Sequence, residues 1–152
     1  MTTLSPYSKT TGPQGSWSRS VGSSRAFWIR FSLFCAGIYN LLWGTAVIFF
    51  PLTPFEWLGL PVPNYPELWQ CLGMVIGVYG IGYLIASRDH VRHWPIVLVG
   101  LLGKVFGPIG FLIAACRGSL PWLMGGMCVT NDLIWWLPFS MALWDAWRAR
   151  ER

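Results

Sequence analysis

PIVLVGLLGKVFGPIGFLIAACRGSLPWLMGGMCVTNDLIWWLPFSMALW (residues 95–144) is almost wholly apolar, yet it carries Lys104 and Asp132. It divides into two apolar stretches, 95–116 and 120–144, joined by Arg117-Gly118-Ser119. Each is about the roughly 20 residues needed to cross a hydrocarbon core. So short a turn predicts an antiparallel hairpin. In lipid the backbone N–H and C=O groups must be satisfied within the segment, so helices are expected and not strands.

Two similar stretches lie upstream, at 31–50 and 68–86. The fold class expected is therefore all-α, an antiparallel up-down four-helix transmembrane bundle. Pro108 and Pro138 predict kinks in the third and fourth helices, because proline cannot donate to the carbonyl four residues back. The membrane domain spans 25–147. Residues 1–24, rich in Ser, Thr, Gly and Pro, read as a disordered cytoplasmic tail, and 148–152 as a basic cytoplasmic tail. The apolar stretch after residue 24 is too long for a signal peptide and lacks an A-x-A cleavage pattern, so it is expected to be retained.

Composition agrees. Of 152 residues, 54% are hydrophobic and 11% charged, against about 25% charged in an ordinary soluble domain. Eleven tryptophans are more than a core this size can hide. The net charge of +5 does not point to nucleic acid, because the basic residues flank apolar runs instead of forming a polar face. Nine of them (Lys9, Arg19, Arg25, Arg30, Arg88, Arg92, Arg148, Arg150, Arg152) fall on one side of the expected bundle, and only Arg117 on the other. By the positive-inside rule both termini are cytoplasmic. Trp28, Trp94, Trp144 and Trp147 then mark the inner interface, and Trp57, Trp69 and Trp122 the outer one.

The connection PLTPFEWLGLPVPNYPE (51–67) holds five prolines and is expected to be a stiff, non-helical interfacial loop. Cys35, Cys71, Cys116 and Cys128 form no C-x-x-C pair and read as small buried hydrophobes. His90 and His93, in RDHVRHW, read as part of a basic interfacial loop.

A full charge at a helix centre costs about 2.5–3.5 kcal/mol on insertion scales, so Lys104 and Asp132 are expected to face protein and to find partners. Lys104 precedes the end of its stretch by as many residues as Asp132 follows the start of its own. On antiparallel neighbours rising about 1.5 Å per residue, both lie near the midplane, which predicts a Lys104–Asp132 ion pair. Asn40 and Tyr79 reach a similar depth on the first and second helices. With Asn131, Trp43, Trp135 and Trp136 these form the candidate ligand-binding set. Small-residue stripes at Gly100, Gly103, Gly107 and Gly110, and at Ala36, Gly37, Asn40 and Gly44, predict close helix approach. The stripe Gly73, Gly77 and Gly80 leaves room for a homodimer or a larger membrane complex, with the lipid bilayer as the general partner.

An enzyme is the weaker reading: one intramembrane carboxylate makes no acid/base pair, and no Ser/His constellation accompanies it. Haem held between helices would take intramembrane His ligands, and the sequence has none there, so no cofactor or metal is expected.

N-D-L-I-W-W-L-P-F (131–139), GLLGKVFGP (100–108) and YNLLWG (39–44) resemble a group of small bacterial four-span membrane proteins of uncharacterised function, over residues 27–145. In size and span count the chain is also similar to DoxX-like proteins. The resemblance implies a bacterial inner membrane and brings no activity. The expectation is a membrane protein that binds or passes a small lipophilic or ionic ligand at the midplane. The alternatives are a non-catalytic accessory subunit with a structural ion pair and, third, a lipid-modifying or redox enzyme.

Overall fold

A computed structural model describes residues 14–151. Among them every regular element is helical: α1 (Gln14–Phe49), α2 (Thr53–Trp57), α3 (Pro66–Arg88), α4 (Trp94–Cys116), α5 (Gly125–Asn131) and α6 (Trp136–Arg150). Two 3₁₀ turns, Trp122–Met124 and Leu133–Trp135, interrupt the last third of the chain.

Proline punctuates the helices. Between Pro13 and Pro51 the sequence has none, and α1 fills that interval. It therefore runs back into the expected tail, making 14–24 helical; residues 1–13 and Arg152 lie outside the described residues. Proline is tolerated in a first helical turn, where its missing N–H has no partner to lose, and α2, α3 and α4 all begin with one. That rule also corrects the expected non-helical connection. Pro54 starts α2 instead of preventing it, and Leu60 N–H closes the turn onto the Phe55 carbonyl at 2.8 Å.

Three segments, Ser24–Phe49, Pro66–Arg88 and Trp94–Cys116, are long and apolar enough to cross a membrane. The expected helix 120–144 is instead a series of short pieces, broken at Asp132. The turn after α4 works as its sequence implies. Gly118, at φ +73°, donates to the Ala115 carbonyl, and Ser119 N–H donates to that of Ala114. This pair of bonds ends a helix where glycine can enter the left-handed region.

Close packing of α1 on α3 dominates the tertiary structure. A Cβ added to Gly44 would lie 2.5 Å from the Gly73 carbonyl oxygen, and one on Gly80 2.8 Å from that of Gly37. The small-residue stripe of α3 is thus used within the chain, against α1. A buried cluster joins Ile29, Leu33 and Ala36 of α1, Tyr83 and Ala86 of α3, Val97 of α4, and Phe139 and Ala142 of α6. Outward faces stay apolar: Leu42, Val78, Phe106 and Leu137 are each more than 60% exposed. Cys71 and Cys116 are exposed as well, and only Cys35 and Cys128 are half-buried.

Beyond the core, Arg25 of α1 pairs with Asp145 of α6 at 3.1 Å. His90 is buried beside them, its Nε2 3.8 Å from Asp145, although its neighbours Asp89, Val91 and Arg92 in the connection between α3 and α4 are exposed. Burial pushes its pKa below the ordinary imidazole value of 6.5; Asp145 and Asp89 oppose the shift and Arg30 adds to it. The unfolded chain therefore binds a proton that the folded chain refuses. Stability present above pH 6.5 should be lost progressively as pH falls below that value toward the lower pKa of the folded chain. Melting temperature followed from about pH 8 to about pH 5 should fall, and His90→Gln should flatten the slope. An equal slope in the variant would assign it to other groups.

Candidate functional site

Lys104 sits in the middle of α4 and is 3% exposed. Its ammonium lies 5.6 Å from the ring centre of Tyr83, 5.9 Å from that of Phe139 and 6.0 Å from that of Trp135. Ring faces attract a cation most strongly where water is excluded. Its Nζ donates to the Asn131 carbonyl at 2.6 Å.

That carbonyl is free because the helix breaks there. In an unbroken helix Asn131 C=O would accept from Trp135 N–H. Asp132 instead takes φ −123° and ψ −62°, and Trp135 N–H donates to the Asp132 carbonyl at 3.1 Å. A second bond runs the other way. Pro108 leaves the Lys104 carbonyl without its normal donor, and Trp136 Nε1 supplies one at 3.0 Å. The freed acceptor read from the sequence is therefore real, and α4 continues through Pro108 as one helix.

The expected Lys104–Asp132 ion pair is not made within 4.0 Å. The break turns the Asn131 carbonyl, not the Asp132 carboxylate, onto the ammonium. Asp132 is buried and faces the backbone of Gly107, where an added Cβ would come 3.1 Å from Oδ2. Asn131 Nδ2 donates weakly to Oδ1, at 3.4 Å.

Lys104 and Asp132 share a cavity of about 280 Å³ with Asn40, Tyr79, Tyr83 and Asn131. The polar layer expected from depth alone is thus assembled, with one or more groups from α1, α3, α4 and the α5 break. Asn40 is 3% exposed, and its Oδ1 has no hydrogen-bond partner; Asn131 Oδ1 is likewise buried and unpartnered. Buried acceptors normally find a donor, so each of these oxygens can accept a hydrogen bond from a group placed in the cavity.

No protein family, curated protein or solved structure matches the chain. The functional reading therefore rests on this geometry.

Trp135 and Trp136 frame the cavity without lining it: one faces the ammonium, the other holds the Lys104 carbonyl. Trp43 lies elsewhere, packed on Trp69 at 5.7 Å and lining a separate cavity with Phe50, Trp57 and Met127. Sequence reading missed Tyr83 and Phe139. Tyr83 was detectable, since it follows Tyr79 by one turn and shares its face. Phe139 had no such signal. Among the described residues no group of three His, Cys, Asp or Glu side chains could hold a metal ion. The cavity offers one cation, one carboxylate, two phenols and two idle amide oxygens, a set suited to hydrogen-bonding a polar group.

Proposed function

We propose that this chain is an integral membrane protein of the bacterial inner membrane, a four-span bundle with both termini cytoplasmic, that binds a small ligand in the cavity beside Lys104. The observation that carries the proposal is Asn40. A buried, unpartnered amide oxygen costs stability, and one kept beside a buried ammonium and carboxylate has its use in binding.

The test follows from that cost. Small molecules extracted from purified protein are identified by mass spectrometry for wild type and Asn40→Leu. The variant should lose the copurifying molecule, and its stripped form should melt no lower than stripped wild type, because an idle polar group has been replaced by an apolar one of similar size. If Asn40→Leu keeps the molecule or melts lower, Asn40 is a structural residue and the proposal fails.

The reciprocal bonds Lys104 Nζ to Asn131 C=O and Trp136 Nε1 to Lys104 C=O favour a second reading. They tie α4 to the break at both strands of the contact, as a clamp in a non-catalytic accessory subunit would. The two readings part at Asn40, which the clamp does not use.

A further inference from the structure

Resting on the binding proposal, we infer that the cavity is loaded sideways from the lipid phase, between α3 and α4, and takes a lipophile with an uncharged, hydroxyl-bearing head. The cavity is closed on two sides. Tyr83 lies over Gly100, where an added Cβ would meet its ring at 2.5 Å, and the contact of Gly37 with Gly80 seals α1 against α3. Between α3 and α4 it is open. Leu72 and Val75 on α3 are 43% and 50% exposed, and Gly103 and Gly107 on α4 are exposed too, although all four line the cavity. This rim is apolar and lies within two segments long and apolar enough to cross a membrane. A molecule reaching it from the side comes from acyl chains, not from water.

The polar end selects the head. Lys104 and Asp132 contribute one charge of each sign, so a charged head would leave an unbalanced charge in a low-dielectric site. Asn40 Oδ1 needs a donor, and an ammonium that has given one N–H to Asn131 retains donors for an acceptor. A hydroxyl is both donor and acceptor. The tail then lies in the cleft over Gly103, where an added Cβ would meet nothing within 4 Å.

That open space makes a clean plug. Gly103→Phe places a ring in the cleft without a clash at Cβ. Gly110→Phe is the control, equally unobstructed but outside the cavity lining. The probe is a monoacylglycerol with a diazirine in its chain, photolysed in vesicles holding wild type, Gly103→Phe, Gly110→Phe or Asn40→Leu, with labelled peptides mapped. Wild type and Gly110→Phe should label on α3 and α4. Gly103→Phe should lose labelling by at least about tenfold while melting like the control. Normal labelling of Gly103→Phe with loss in Asn40→Leu would overturn sideways loading and leave the binding site standing. Normal labelling of Asn40→Leu would remove the site itself. If a fatty acid of equal chain length competes better than unlabelled monoacylglycerol, the uncharged head is overturned.

Discussion

Gly44→Ala should destabilise the protein more than any other glycine-to-alanine change along α1, read as melting temperature in mild detergent. The new methyl would fall 2.5 Å from the Gly73 carbonyl oxygen and 3.0 Å from the Gly77 nitrogen. Both are backbone atoms of a long helix, so neither can step aside as a side chain can. α1 and α3 would have to separate along their whole seam. Overpacking of this kind costs about 1–3 kcal/mol and occasionally more. The helix-propensity gain of alanine over glycine returns only about 0.8–1.0 kcal/mol. The balance is unfavourable. At Gly37 the obstacles are the Leu84 side chain, at 2.8 Å, which can rotate, and one backbone atom, the Gly80 oxygen, at 2.9 Å instead of 2.5 Å, so Gly37→Ala should cost less. At Gly110 an added Cβ meets nothing within 4 Å, and the propensity gain should appear undiminished as a small rise. If Gly44→Ala melts at or above wild type, the close α1–α3 approach is wrong.

How far the sequence could be read depended on which physical quantity decided each feature. Hydropathy marks where a chain leaves water, so 95–116 was legible almost to the residue as Trp94–Cys116. It says nothing about φ and ψ. The stretch 120–144 is as apolar as a single helix requires, yet Asp132 leaves helical geometry and a 3₁₀ turn follows. The start of α1 was hidden for the opposite reason. Ser and Gly around residues 15–24 are poor helix formers, but no proline interrupts them, and the helix continues through.

The candidate site shows the same division. Counting depth along helices placed Asn40, Tyr79, Lys104 and Asp132 in one layer, and all four line one cavity. The acceptor for the ammonium was not legible, because it is a main-chain carbonyl released by a break that apolar character conceals. Trp43, also in the candidate set, lies outside that cavity. It sits on the next turn of α1, against Trp69.

Lys104→Met should be the most damaging single change in the molecule, and its companion variants divide the cost. The ammonium contributes a charge-assisted bond to Asn131 C=O and the nearest buried counter-charge to Asp132. Hydrogen bonds to charged groups contribute about 1.5–3 kcal/mol, and stranding a buried charge costs about 3–5 kcal/mol. Asp132→Leu strands Lys104 but leaves its bond to Asn131 intact, so it should cost less than Lys104→Met. The double variant removes both charges. Were the two residues a direct ion pair, it should return close to wild type. With the Asn131 carbonyl as the actual acceptor it should remain below wild type by about the value of that one bond. Trp136→Phe isolates the other half of the contact. It leaves the Lys104 carbonyl without a donor, at a cost of about 1–3 kcal/mol, and because Trp136 and Asp132 both act around Lys104 its combination with Asp132→Leu should depart from the sum of the two. A double variant fully restored to wild-type melting would contradict the geometry at Asn131. If instead Lys104→Met and Asp132→Leu both melt like wild type, neither charge is held for stability. The ammonium half of the reciprocal clamp then loses its support, and ligand binding alone is left to account for two buried charges in so apolar a chain.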